Sequence, residues 1–271
     1  MLFRSSLAIS PCPNDTFMFD ALLHHKIDTE GLKFDLIMSD VEELNRKAFE
    51  SEYDVSKLSF HAISKLKDKY NILNSGAALG TDCGPILISK KNKTDLKISS
   101  EIAIPGKYTT AYMLFKIAYP NFKNTHELVF SEIENAILSD SFDAGLIIHE
   151  NRFTFQEKGL VKLLDLGEFW SQKTNLPIPL GGIAIDKKID IQIQRKFDRV
   201  LKKSIEFAFA NPSSSLTFVK SHAQEMDVNV MNSHIKLYVN DYSIDLGEKG
   251  REAIKKLYDF CGVDSKAIFV S

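Results

Sequence analysis

The residues best suited to chemistry close the octapeptide Asp143-Ala144-Gly145-Leu146-Ile147-Ile148-His149-Glu150. Small and aliphatic side chains over 144–148 predict a short buried strand. It stops abruptly at an imidazole and a carboxylate. Buried parallel strands deliver their last side chains into the crevice at their carboxyl ends, where open α/β sheets bind ligands. An imidazole there titrates near neutral pH, which suits His149 to the work of a general base. A half-buried histidine that only hydrogen-bonds the backbone satisfies the same pattern.

Other polar groups fall at predicted element ends. Ser10-Pro11-Cys12-Pro13-Asn14-Asp15 follows a short strand at 7–9. Its prolines exclude regular structure, and Asn14 or Asp15 is expected to cap a helix at 16–25. Strand, rigid loop and helix N-terminus together present backbone N–H groups to an anion, although a capped helix alone accounts for the pattern equally well. Lys57 and Ser59 lie two apart on a strand expected at 53–59 and so share a face. A surface lysine and a serine N-cap fit the same spacing. Thr109 and Thr110 open a helix at 111–119, after a strand at 102–104 and Pro105-Gly106. Their hydroxyls and the free N–H groups beside them suit a carboxylate or a sugar hydroxyl. Gly80-Thr81-Asp82-Cys83-Gly84 has neither Walker nor Rossmann spacing and is expected to be a closely packed loop.

Several candidates are weaker. His24 and His25 sit late in the first helix, where a cation suits the dipole. His61 follows the 53–59 strand closely enough to assist, but a helix start explains it as well. His126, His222 and His234 have no polar companions in sequence. Cys12, near a helix N-terminus, is placed where a thiol pKa can fall, and is expected to serve in packing.

Composition excludes other classes. The chain has 271 residues, 44% hydrophobic and 26% charged, which describes a globular protein with room for one large domain or two small ones. With 34 basic and 36 acidic residues the net charge is −2, and no electrostatic footprint for nucleic acid or an anionic membrane results. Cys12, Cys83 and Cys261 are the only cysteines; an odd number without close spacing argues against a disulfide framework and a zinc knuckle, and fits a reducing cytoplasm. No signal peptide is visible, and no apolar run reaches the roughly 18 residues of a membrane helix. The expectation is a cytoplasmic protein without nucleic-acid or membrane partners and without a metal.

The elements that position these groups alternate. Strands are expected at 34–38, 86–89, 160–166 and 183–185. Helices are expected at 41–49, with Asp40 and Glu43 forming a capping box, and at 61–69. Another is expected after Ser131, boxed with Glu134. This alternation predicts βαβ units and a largely parallel sheet. Residues 175–182, dense in proline and glycine, predict a rigid irregular crossing. After Asp186 the pattern is helical, with Asn240-Asp241-Tyr242-Ser243 as an exposed turn.

Taken in order, Ser10-Pro11-Cys12-Pro13-Asn14-Asp15-Thr16-Phe17, Asp54-Val55-Ser56-Lys57-Leu58-Ser59, Pro105-Gly106 with Thr109-Thr110-Ala111, Asp143-Ala144-Gly145 through His149-Glu150, and Leu176-Pro177-Ile178-Pro179-Leu180-Gly181-Gly182 resemble the signature stretches of the 1,4-dihydroxy-6-naphthoate synthase family. That family serves menaquinone biosynthesis by the futalosine pathway. The resemblance implies an α/β, two-lobed fold like the type II periplasmic binding proteins, with the ligand in a cleft between lobes. It divides the chain into an outer lobe of 1–85 and 183–271 and an inner lobe of 86–182, and glycine and proline at 84–85 and 177–182 agree with crossings there. It further implies a lyase that converts cyclic dehypoxanthine futalosine into 1,4-dihydroxy-6-naphthoate, with no cofactor. By the same resemblance His149 is the base, and Glu150 stands beside it with its part undecided. Lys57, Leu58, Ser59, Thr109 and Thr110 would hold the substrate's carboxylate and hydroxyls, with Asn14 and Asp15 as further contacts. The partner is a small molecule, with a homodimer also admitted.

Two rival readings follow from the same fold. Chorismate dehydratase, a sister enzyme of the pathway, would use a different acid–base set. A non-catalytic solute-binding protein should carry a signal peptide or an acylated N-terminal cysteine.

Overall fold

The computed structural model describes residues 3–81, 83–223, 227–264 and 268–270; Asp82, in the loop expected at 80–84, lies outside them. The chain forms two compact units, one of Met1–Gly80 with Pro179–Ser271 and the other of Thr81–Ile178.

Unit 1 begins β1 (Phe3–Ile9), α1 (Pro13–Leu23), β2 (Leu32–Met38), α2 (Val41–Phe49), β3 (Val55–Ser59), α3 (Phe60–Lys65), β4 (Tyr70–Ile72), β5 (Ala78–Gly80). Helix α1 starts three residues earlier than its apolar pattern does. Pro13 occupies the first helical turn, where its missing N–H is not needed. The N-cap is therefore Cys12, which makes no side-chain cap, and Asn14 and Asp15 lie inside the helix and do not cap it. Asp40 does cap α2, accepting from Glu42 N at 2.8 Å.

Unit 2 contains β6 (Ile86–Lys90), β7 (Ile102–Ile104), α4 (Thr110–Ala118), β8 (Thr125–Glu127), α5 (Ile133–Leu138), β9 (Ala144–Ile147), α6 (Asn151–Thr154), β10 (Leu160–Asp165) and α7 (Leu166–Thr174). Its sheet runs β10-β6-β9-β7-β8. Strands β7, β8 and β9 are mutually parallel, whereas β6 is antiparallel to both β9 and β10. Ile86, Ile88, Ala103, Ile133, Ile137 and Ile147 form its core. Ser131 is not a cap: residues Phe130–Glu132 make a 3₁₀ turn that runs straight into α5, and Glu134 turns inward instead.

The chain returns to unit 1 as β11 (Ile178–Asp186), then α8 (Ile191–Ala210), α9 (Leu216–His222), α10 (Val228–Tyr238), α11 (Asp241–Ile244) and α12 (Gly247–Phe260). The irregular crossing expected at 175–182 is thus mostly strand. Sheet order is β2-β1-β3-β11-β4, with β5 also on β11. Strand β1 is parallel to β2 and β3, while β11 is antiparallel to β3 and β4, so neither unit has the largely parallel sheet expected from alternation. Helix α8 turns Phe197, Val200, Leu201, Ser204, Ile205 and Ala208 inward, the three- and four-residue spacing of one apolar face. Ser204 binds α1 twice, donating to Met18 O and accepting from Leu22 N. Residues 240–243 are a capped helical turn with Ser243 buried, not an exposed one.

Glu30, in the loop before β2, receives Arg199 and Lys203 of α8. Hydrogen bonds from Arg199 first and Lys203 second lower its pKa from 4.5 to about 2. A carboxylate depressed in the folded state stabilises it above the ordinary pKa, and that contribution fades as pH falls toward the folded value. Glu30→Gln should therefore lower the melting temperature near neutral pH, with the gap to wild type closing between about pH 4.5 and 2. Thermal melts of both proteins across that range check it; a constant gap would refute it.

Candidate functional site

Unit 1 gathers its polar groups around the junction of β1 and α1. Asp15 is fully buried, and four donors meet its carboxylate. Ser10 N and Oγ donate to one oxygen at 3.2 and 2.7 Å. Lys57 Nζ and Asn14 Nδ2 donate to the other at 2.7 and 2.8 Å. A buried ion pair holds only when further hydrogen bonds satisfy the carboxylate, and Ser10 and Asn14 supply them. Lys57 is not the surface residue its type suggests: its side chain is 7% exposed. Among the described residues its ammonium has a single partner, Asp15. That leaves two of its three N–H donors for a ligand.

Strand β3 lies between β1 and β11, and Lys57 and Ser59 stand on the same face of it. Ser59 is the N-cap of α3 by position but its side chain makes no cap. Asn45 of α2 instead donates to Ser59 Oγ at 3.1 Å and accepts from Ser59 N at 2.9 Å. Leu58, on the other face, is fully buried in the core. The structure thus joins Asn14, Asp15 and Lys57 directly and places Ser59 two residues further along the strand.

Unit 2 carries the remaining candidates on two strand ends. Thr109 is the N-cap of α4, accepting from Tyr112 N at 3.2 Å while donating to Gly106 O at 2.7 Å. Thr110 opens the helix, and both threonines are 3% exposed. His149 follows β9 in the left-handed region, at φ 58°, which a non-glycine residue occupies at a cost and which clusters at functional sites. Its ring packs edge-on against Phe130, centroids 4.7 Å apart. A carboxylate oxygen of Glu150 lies within 4.8 Å of an imidazole nitrogen.

Two buried carboxylates hold the segment after His149. Arg152 donates to Asp165 at 3.2 Å and to Gly84 O at 2.5 Å. Asp165 also caps α7 through Gly167 N and Glu168 N. Glu134, 1% exposed, accepts from Asn151 and Lys158, each at 2.6 Å. The main chains of Gly84 and Gly167 approach so closely that a Cβ on Gly84 would lie 2.0 Å from Gly167 N. The base candidate therefore sits on a short loop anchored on both sides.

Some placements differ from the sequence expectation. His234 has a polar companion after all: its Nε2 lies 2.9 Å from Asn14 Oδ1. His126 pairs with Glu101 at 2.5 Å on the exposed edge of unit 2. Cys12 is buried as the N-cap of α1. Arg152 and Asn45 were not singled out from sequence, and Glu134 only as a capping-box partner, since charged and amide residues at unremarkable spacing carry no signal until the fold brings them together.

The chain matches the model of a family described as menaquinone biosynthesis over residues 5–262. It is 37% identical over 252 residues to a 1,4-dihydroxy-6-naphtoate synthase of Thermus thermophilus, covering 93% of this chain and 92% of that one. A protein of the same name from Streptomyces coelicolor is 39% identical over 258 residues, covering 93% and 90%. A crystal structure of a protein from Archaeoglobus fulgidus superposes with a TM-score of 0.90 at 37% identity, covering 96% of this chain and 97% of that one. A Candida albicans protein described as having the generic periplasmic binding protein fold gives a TM-score of 0.69 at 11% identity, covering 98% and 92%. At that identity the likeness speaks to the fold alone: an α/β fold of the periplasmic-binding-protein kind. Among the described residues no helix is long and apolar enough to cross a membrane.

Proposed function

The chain belongs to the menaquinone biosynthesis family, and from that membership we propose that it is a carbon–carbon lyase that converts cyclic dehypoxanthine futalosine into 1,4-dihydroxy-6-naphthoate. The observation that carries this is the near-full-length identity to naphthoate synthases from two distant bacteria, 37% and 39%. His149 acts as the general base. Removal of a substrate proton starts cleavage of a carbon–carbon bond, the ribose-derived fragment leaves, and the electron pair of the broken bond helps make the second ring aromatic. No electron is gained or lost overall, so a base and oriented donors suffice.

The left-handed backbone at His149 supports the assignment, because such conformations cluster at functional sites, and Phe130 and the anchored α6 hold the residue in place. Lys57 supplies a cation to the substrate carboxylate, held in place by Asp15. Ser59, Asn14, Thr109 and Thr110 bind the carboxylate and hydroxyls. Leu58 takes part through its main chain only, its side chain being core. The enzyme acts in the cytoplasm on this small molecule.

Incubating the purified protein with cyclic dehypoxanthine futalosine should produce the naphthoate chromophore. No product from that substrate, with loss of water from chorismate instead, would move the chain to the sister dehydratase.

A further inference from the structure

His234 of α10 lies 220 positions from Asn14 in sequence, yet the two are hydrogen-bonded in the interior of unit 1, with His234 only 1% exposed. An asparagine amide has a donor end and an acceptor end, and its neighbours decide which faces where. Asn14 faces the Asp15 carboxylate on one side, 2.8 Å away, and a carboxylate can only accept. The amide nitrogen must therefore point at Asp15, which leaves the amide oxygen pointing at His234. An oxygen there requires hydrogen on His234 Nε2. The opposite orientation would set two acceptors against each other at Asp15. Tyr238, one turn along α10, packs against the imidazole with centroids 4.6 Å apart and the rings tilted by 51°.

From this arrangement we propose that His234 is a positioning residue: its Nε2–H fixes the Asn14 amide, and through Asn14 it fixes the Asp15 carboxylate that holds Lys57. The chain of contacts runs His234, Asn14, Asp15, Lys57, with every member buried. It ties a helix from the last part of the sequence to the first helix at its first turn. Its bearing on catalysis rests on the reading that Asn14 and Lys57 contact the substrate; the hydrogen-bond order itself does not. His234 touches no reacting atom in this scheme, and its removal should loosen substrate binding more than it slows chemistry.

The direct test is the ring tautomer in the wild-type protein, read from imidazole ¹⁵N shifts by NMR. Hydrogen on Nε2 is expected; a bare Nε2 overturns the proposal without any variant or substrate. The second test is a double-mutant cycle of His234→Leu and Asn14→Ala, read in both unfolding and kinetics. His234→Leu should raise KM about tenfold with kcat within about twofold, the usual scale for one buried hydrogen bond. In the Asn14→Ala background the same change should move KM by less than about twofold. His234→Gln, which can present an N–H at similar reach, should recover most of the loss.

Equal KM effects in both backgrounds, or additive losses of stability in the cycle, would overturn the proposal. If wild type turns over no cyclic dehypoxanthine futalosine, the functional reading fails on its own. The tautomer and the stability cycle then still decide whether His234 orders Asn14.

Discussion

Alanine at position 149 should lower kcat on cyclic dehypoxanthine futalosine by about 10²- to 10⁴-fold, the usual contribution of one positioned general base, while the substrate Kd stays within about threefold. The imidazole stands at a strand end with an aromatic ring on one side and a carboxylate within 4.8 Å. Alanine at φ 58° carries backbone strain of its own. His149→Asn is therefore the cleaner partner variant, since asparagine accepts the left-handed conformation and offers no comparable base. Both variants should bind substrate by calorimetry and fail to release the naphthoate chromophore. A variant that keeps most of its rate would return His149 to a structural part and move the search to other groups on unit 2.

Lys57→Met should destabilise the protein by about 3–5 kcal/mol, because it strips the counter-ion from a carboxylate that has no route to solvent. Asp15 is fully buried and would keep its bonds from Ser10 and Asn14 while losing the only cation it touches among the described residues. Asp15→Asn combined with Lys57→Met should recover most of that loss, since it removes the orphaned charge at nearly constant volume. Urea denaturation of the single and double variants reads the difference directly. The double variant should be folded yet bind substrate poorly, the ammonium being gone. Recovery of stability and affinity together would show that Lys57 serves only its pair. A single variant as stable as wild type would mean the pair is worth nothing in folding.

Much of the candidate site was legible from sequence because its pieces lie at strand ends, where apolar runs stop abruptly at polar residues. β1, β3, β7 and β9 were each marked in that way, and helices were expected after the first three of them, whereas the short α6 after β9 was not. Only 183–185 of β11 was legible; its first half was not, because prolines and glycines usually argue against a strand interior. At Gly181 the glycine answers a different demand: a Cβ there would meet Leu58 O at 2.7 Å, so the residue lets β11 lie close against β3. Sheet direction was also hidden. Alternating strands and helices suggest parallel pairing, but β6 and β11 run against the neighbours on both sides, and nothing in their composition distinguishes the two directions. The His234–Asn14 bond lay beyond local patterns, since each residue is unremarkable until a fold spanning 220 positions joins them.

The place of β11 also orders events while the chain is being made. β3 and β4 are complete by residue 72, yet the strand that separates them ends at residue 186. All of Thr81–Ile178 is synthesised in the interval. A nascent chain emerging N-terminus first thus presents the second unit whole, while the first unit waits with an open gap in its sheet. Of the two, the unit that begins second is the first to have every strand it needs.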